Sequence, residues 1–576
     1  MIREEMEQNK IKNKEILYMG IMYVVLLTFK LIFVIGNRSF PIISDEFNYE
    51  FMSWQLTERG MYESTHYPLL YPLLLTPAHL FGDNSYIVMK ILNAVYSSFV
   101  PVIAYKICRL YVGEKPSLAC AVFTMLIPYQ YIIPMCLMSE NVYFSLFLLA
   151  IYLYLKPYKK NLYEDIAAAV SVGMLMLTRH ITISLLPVFA LLWLIKQIGK
   201  KEKFSRIILR GLAICAGIII VYSPWLVTKL VQGCTLKSIL GFGIASKTNP
   251  EQLTMSRFVL SFAYYFFYAA LMAAPFLGVL VKSFRAIDIK KKERCSSYNQ
   301  LWVMMMGMMA MLLIAATRHS WRAYYNYPEF TKMKGRYVLY VAVLAAILST
   351  VTLFYKKPKF KHPWCNILLC YVIPVGILLC AYMVEIAGKT SISVGSLIDM
   401  YDSIDGRRIY YGGKIFFAVA VISMIGIQAV YDFGKERLKS YLTLIFVVGI
   451  ALTEMVGALE YYQKVRSANI TAVEDGVIKY ERAIMEDLKS IDCGRYEIVY
   501  MEAGVRRTDI VEWLPKFARL TNFMMTEDAA KISADDYYVL TIEPEKYAEV
   551  LLGQINVYTF NNRDIYLLHI ENVNSK

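Results

Sequence analysis

Charge is scarce in this 576-residue chain: Asp, Glu, Lys and Arg together make up 19% of it, against about 25% in soluble globular proteins. Hydrophobic residues fill the difference at 57%, and the mean hydropathy is +0.43. That balance excludes a disordered chain, which has too little apolar surface to collapse, and it is too apolar for a water-soluble domain. Cysteine is sparse as well, with ten residues in 576, so a small disulfide-stapled scaffold is excluded. There is no CxxC pair and no zinc-ligand spacing. Cys493 is the only cysteine from Tyr462 onward, so that segment holds no internal disulfide. No internal repeat recurs at a fixed period, which argues against solenoids and propellers.

The chain does have long apolar runs. About 20 residues cross a roughly 30 Å hydrocarbon core as a helix, and runs of that order lie near 16–36, 86–107, 116–134, 136–155, 162–178, 181–197 and 211–231. Others lie near 258–281, 301–317, 337–355, 366–387, 414–431 and 441–460. These thirteen segments are numbered below as spans one to thirteen. The first follows a polar start with Arg3, Lys10, Lys12 and Lys14, is too long for a signal-peptide core and lacks a small-residue cleavage site, so it reads as a retained span.

The net charge of +15, from 61 basic and 46 acidic residues, needs no nucleic acid partner once the cations are mapped onto the loops. With the N-terminus inside, one set of loops holds Lys106, Arg109 and Lys115; Lys156, Lys159 and Lys160; and Lys196, Lys200, Lys201, Lys203, Arg206 and Arg210. Further along the same side come Arg285, Lys290, Lys291, Lys292 and Arg294; Lys356, Lys357, Lys359 and Lys361; and Lys435, Arg437 and Lys439. All of these are cytoplasmic in that orientation, as the positive-inside rule demands. An odd number of spans then puts the C-terminus outside, and the retained first span with the basic loops points to a cell membrane.

Two larger segments fall on the outside: a loop at 37–85, and a tail at 462–576. The expected division is a membrane domain at 1–461 and an accessory domain at 462–576. The tail is charged and alternates helical periodicity with β-rich runs at Glu497–Met501, Tyr537–Ile542, Val557–Phe560 and Ile565–Ile570, the pattern of a small α/β domain. It contains no Gly-rich phosphate loop, metal cluster or hydrolase elbow. The expected fold class is therefore an all-α polytopic membrane protein of about thirteen helices with a small C-terminal extracytoplasmic α/β domain.

Four outside features carry polar chemistry. Asp45 and Glu46 stand side by side just past the first span, where they either cap a short interfacial helix or serve a site. His66-Tyr67-Pro68-Leu69-Leu70-Tyr71 follows in the same loop, and tyrosine and proline there are also common interface anchors. Glu140 lies in Ser139-Glu140-Asn141 at the outer end of the fourth span; an acid in an apolar helix faces a cavity or a partner, and Arg179 at the outer end of the fifth span is at matching depth. Finally Arg318, Arg322, Lys332, Lys334 and Arg336 place five cations on the outer side, against the positive-inside bias. A lipid headgroup or a phosphate held at the membrane surface would offset them.

In order, spacing and side of the membrane, these residues resemble the GT-C superfamily of polytopic glycosyltransferases, in particular bacterial members related to protein O-mannosyltransferases and to the aminoarabinose transferase of lipid A. The family's acidic pair in the first outside loop is matched by Asp45 and Glu46, and its His/Tyr-Pro stretch by His66 to Tyr71. The acid on the fourth span is matched by Glu140, and the Gly-Arg-Tyr before a later span by Gly335-Arg336-Tyr337. The match departs at Leu69, where the family has a second proline, and it is weak in the tail.

The resemblance implies a sugar transferred from a polyprenyl-phosphate carrier to an acceptor hydroxyl on a cell-envelope glycan, lipid or protein. A phosphate is already a weakly basic leaving group, so one positioned base on the acceptor suffices for an inverting displacement. Asp45 is expected as that base and Glu46 beside it, with Arg336, Arg322 and Lys334 on the donor phosphate. His66, Tyr67, Glu140 and Arg179 are expected to bind substrate. A divalent cation such as Mg or Mn, held through Asp45 or Glu140, would suit these hard oxygen ligands but is not required. Two other readings compete: a transporter or flippase of lipid-linked glycans, disfavoured because the polar residues gather at the outer surface and not at mid-membrane, and a non-catalytic polysaccharide-assembly protein.

Overall fold

The computed structural model of the chain describes residues 2–37, 45–60, 67–127, 129–157, 162–242, 253–288, 296–322, 335–386, 413–474, 483–484, 486–487, 490, 498–502, 523–526, 537–549, 551–560 and 563–570. Each of the thirteen apolar runs is met by helix. Among the described residues, eight helices are long and apolar enough to cross a membrane, from the first at Asn13–Gly36 to Pro363–Met383. The third run is a pair, Glu114–Leu126 and Tyr129–Met135, bent by 57°. The fourth and fifth runs carry the shorter helices Glu140–Leu155 and Leu162–Thr178, and the twelfth and thirteenth lie within Gly413–Phe433 and Glu436–Glu474. The protein is a multi-pass membrane protein.

Hydropathy around each helix sets its place, because a helix that is apolar on all sides needs either protein or lipid on all sides. The tenth span is the core case: every residue from Tyr340 to Val351 is buried. The seventh, Phe204–Val231, is the opposite case. Only Ile214, Tyr222, Trp225 and Lys229 are buried along its 28 residues, so most of its apolar surface suits lipid. It packs on the fifth span through small residues: a Cβ on Gly173 would meet Val221, and one on Gly217 would meet the Cβ of Ala169 at 2.9 Å.

A polar clamp joins spans eight, eleven and twelve. The carboxylate of Asp432 pairs with Lys282 and accepts from Asn366 at 2.8 Å, Tyr371 at 2.9 Å and Gln428 at 3.0 Å. A carboxylate so fully satisfied is a structural tie.

The chain divides into two compact units, Met1–Gly36 with Glu63–Gln463, and Asn37–Tyr62 with Lys464–Lys576. The stretch 37–62, expected within the membrane domain, thus groups with the tail. It carries the helix Asp45–Arg59, whose charged and polar residues suit no lipid-facing position. The second unit also holds a five-stranded mixed sheet of β1 (Ile498–Glu502), β2 (Phe523–Thr526), β3 (Tyr537–Thr541), β4 (Leu551–Phe560) and β5 (Arg563–Ile570) in the order β2-β1-β3-β5-β4. The strand β1 runs parallel to β2 and β3, and β5 is antiparallel to β3 and β4. Val539, Leu568 and Ile570 pack with Tyr547 in its core.

Candidate active site

Glu140 opens the helix Glu140–Leu155, and the chain before it is pinned by its neighbour in sequence. The Asn141 side-chain amide donates to the carbonyls of Ile133 (3.2 Å), Cys136 (3.1 Å) and Met138 (3.0 Å). Those carbonyls lie in the link before the helix Glu140–Leu155, where each also accepts one backbone N–H, from Cys136, Met138 and Asn141 respectively. The Cys136 carbonyl accepts a further bond from Asn93 at 2.9 Å, and Asn93 in turn accepts from the Tyr71 hydroxyl at 2.9 Å. Asn141 is thus the scaffold in Ser139-Glu140-Asn141, and Glu140, 4% exposed, is the residue it holds in place.

Arg179 follows the helix Leu162–Thr178 and keeps its backbone bond to Leu175 at 2.9 Å. Its guanidinium forms an ion pair with Glu140 and lies 5.9 Å from the rings of both Tyr143 and Tyr337. Arg336 enters from the short turn Gly335–Val338 that leads into the tenth span. It is buried, contacts the Met138 sulfur at 3.8 Å and sits 5.5 Å from the Tyr337 ring. Its charge and that of Arg179 both act on Glu140. One carboxylate between two guanidiniums leaves a net positive site. Arginine's planar fork is the side chain that best grips phosphate oxygens, so the cluster suits an anion.

Aromatic rings wall this cluster. Tyr143 stacks on Phe147, and Tyr340 meets Tyr143, Phe144 and Phe147 at 4.8–5.6 Å. The Tyr337 hydroxyl lies 3.4 Å from His319 Nε2, their rings nearly perpendicular at 81°. On the same helix as His319, Ser320 bonds Tyr265 at 2.6 Å, Trp321 donates to the Thr254 carbonyl at 3.0 Å, and Arg322 donates to the Phe242 carbonyl at 3.4 Å. The turn at Phe242 backs onto His180 through Gly241, which has φ +74° and leaves no room for a Cβ, since one would lie 2.7 Å from that of His180.

No family model matches the sequence, nor does any curated protein. Solved structures do match. ArnT from Cupriavidus metallidurans, bound to undecaprenyl phosphate, superposes with a TM-score of 0.56 at 10% identity, over 96% of this chain and 98% of that one. The same protein in its apo state gives 0.55 at 9% identity, over 96% and 97%. An Archaeoglobus fulgidus oligosaccharyltransferase covers 91% of this chain and 70% of its own at a TM-score of 0.44 and 10% identity. The chain has the GT-C fold.

Within that fold, three of the residues expected from sequence come together: Glu140, Arg179 and Arg336. Arg322 is tied to the backbone at Phe242. Asp45 opens the helix Asp45–Arg59, though its side chain lies outside the described residues; Glu46 beside it is fully buried, and Tyr67 is half-buried. His66 and Lys334 lie outside the described residues. Sequence reasoning missed Tyr143 and Met138 as neighbours of this cluster, and named Tyr337 only as part of Gly335-Arg336-Tyr337. Tyrosines are too common here, 45 in the chain, for any one to stand out.

The metal expectation can be tested at Glu140 alone. No group of three or more His, Cys, Asp or Glu side chains gathers among the described residues. Two guanidiniums flank Glu140, and a divalent cation there would have to compete with both. The described residues around Glu140 therefore do not fit a metal ion.

Proposed function

We propose that this protein is a membrane glycosyltransferase that takes a sugar from a polyprenyl-phosphate carrier and transfers it to an acceptor hydroxyl. The observation that carries this reading is the shared fold, over 96% of the chain, with an ArnT that binds undecaprenyl phosphate. The buried, net positive cluster of Glu140, Arg179 and Arg336 supports it, because a lipid phosphate needs both an apolar surround and cations.

In this reading the acceptor oxygen attacks the anomeric carbon and the bond from that carbon to the phosphate oxygen breaks. The phosphate leaves with the electron pair, and the acceptor proton passes to the carboxylate of Asp45. The configuration inverts, as in any single displacement. Arg336 draws off charge building on the departing phosphate, and Arg179 holds Glu140 beside it. The acidic pair faces the outer side of the membrane, where Glu46 orients the acceptor. Any metal requirement rests with Asp45. The acceptor is a glycan, lipid or protein of the cell envelope.

The test compares surface glycans, by mass spectrometry, from wild type, a deletion strain and the deletion complemented with Asp45→Asn. The expected result is loss of one sugar in both mutants with the variant protein at normal level, because Asn keeps the shape and lacks the base. A wild-type pattern from Asp45→Asn would remove Asp45 as base; a full glycan pattern in the deletion strain would overturn the transferase reading.

A further inference from the structure

Lys30 is the only charged residue in the apolar run of the first span, and it is fully buried. An ammonium in that setting is costly unless something compensates it. Among the described residues its partners are both neutral: Ser97 Oγ and Gln130 Oε1, each at 2.8 Å. The Ser97 hydroxyl in turn donates to the Asn93 carbonyl at 2.7 Å.

Ser97 and Gln130 also line a small cavity, and the other side of that cavity belongs to the candidate site. Glu140, Asn141, Tyr129 and Tyr340 complete its polar wall, and its volume is about 10 Å³. That is the lower limit of the room one water takes. Asn141 Oδ1 and the Tyr340 hydroxyl have no hydrogen-bond partner among the described residues, and the Tyr129 hydroxyl faces the Gln130 side chain beside the same cavity. An unmet polar atom in an apolar interior is costly, so these groups around one cavity call for an occupant with both donors and acceptors. A single water, with its two to four hydrogen bonds, meets that need. A metal ion does not, because Lys30, Arg179 and Arg336 already make the region cationic.

We infer that this cavity is a water site, and that its water closes a hydrogen-bonded chain from Lys30 through Gln130 to Glu140. The chain fixes the face of Glu140 turned away from Arg179. It adds the charge of Lys30 to the field of the two arginines. Lys30 is then a positioning residue for the anion site. This role in transfer rests on the glycosyltransferase reading; the water site does not.

The two parts are tested separately. Full-length protein in lipid nanodiscs is exposed to a short X-ray pulse, which makes hydroxyl radicals from bound water, and tyrosine oxidation is read by mass spectrometry. Tyr265 and Tyr298 serve as dry controls, since both are fully buried and their hydroxyls are bonded to Ser320 and Thr352. Tyr129 and Tyr340 should oxidise several-fold faster than these controls. Equal rates in the wild-type protein would overturn the water site, whether or not any variant folds. Gln130→Leu should bring Tyr129 and Tyr340 down to the control rate, and Gln130→Glu should restore them.

For the positioning role, Lys30→Met should raise KM for the polyprenyl-phosphate donor with little change in kcat, and Gln130→Leu should do the same with rescue by Gln130→Glu. An unchanged donor KM in a correctly inserted Lys30→Met protein would remove Lys30 from the site while leaving the water in place. If the wild-type protein transfers no sugar, the labelling result still stands alone.

Discussion

Glu140 and Arg179 are paired where neither can reach much water: their side chains are 4% and 15% exposed. Removing one partner of such a pair strands the other as a buried charge, which costs about 3–5 kcal/mol, whereas replacing both by apolar groups is often neutral. Arg179→Leu should therefore lower the melting temperature of the detergent-solubilised protein sharply, and Arg179→Leu with Glu140→Met should recover most of that loss. Additive losses in the double variant would mean that the two side chains act independently. Neither variant should transfer sugar.

Arg336 reaches the same cluster from the turn before the tenth span. A hydrogen bond to a charged group contributes about 1.5–3 kcal/mol, so Arg336→Ala should raise the KM for the lipid-phosphate donor roughly ten- to a hundred-fold. The apparent affinity for the acceptor should change little. Titrating donor and acceptor separately in a transfer assay checks this, and a normal donor dependence would take Arg336 out of the phosphate site.

The loop after Arg285 carries a pH-sensitive tie. Asp288 accepts from Lys356 at 2.6 and 2.8 Å and from Ser296 at 2.6 Å. Burial raises the Asp288 pKa, but those bonds outweigh it and hold the carboxyl below its ordinary value. A lowered folded-state value means that the stabilisation is fully present above the unfolded pKa, about 3.9, and is lost as the pH falls through the folded value. The melting temperature of Asp288→Asn should lie below that of wild type at neutral pH, and the gap should close below about pH 4. A gap that is constant across that range would show that the ion pair contributes nothing.

Residues Asn37–Tyr62, which carry Asp45 and Glu46, share a compact unit with Lys464–Lys576. Truncation after Gln463 is therefore expected to abolish transfer even where the shortened protein inserts at normal level, since the acidic loop loses the rest of its unit. Transfer at the wild-type rate by the inserted truncation would instead make the tail a true accessory. Membrane fractionation followed by the transfer assay separates the two outcomes.

The sequence alone located each of the eight helices that, among the described residues, are long and apolar enough to cross a membrane, because an apolar run long enough to cross a bilayer is a local property that needs no partner to be read. It also located β1, β3 and β5 and the C-terminal part of β4. It missed β2, whose four residues Phe523–Thr526 are too few to show a period. The acid at Glu140 was legible for the same reason as the helices, since a charge in an apolar run is conspicuous, and Arg179 was legible by its matching depth. Lys30 was equally conspicuous but points to nothing until its neighbours are known.

What only the tertiary structure decided is which side chains meet. Asn141 and Glu140 are adjacent in the chain, yet one ties the backbone and the other meets two arginines, a division set by how the bent third run delivers its carbonyls. Arg336 arrives from nearly two hundred residues away, and the cavity between Lys30 and Glu140 is walled by four separate segments. Hydrophobic length is written residue by residue along the chain. A charged cluster or a water-sized cavity exists only where several helices close around the same few ångströms, and packing sets that.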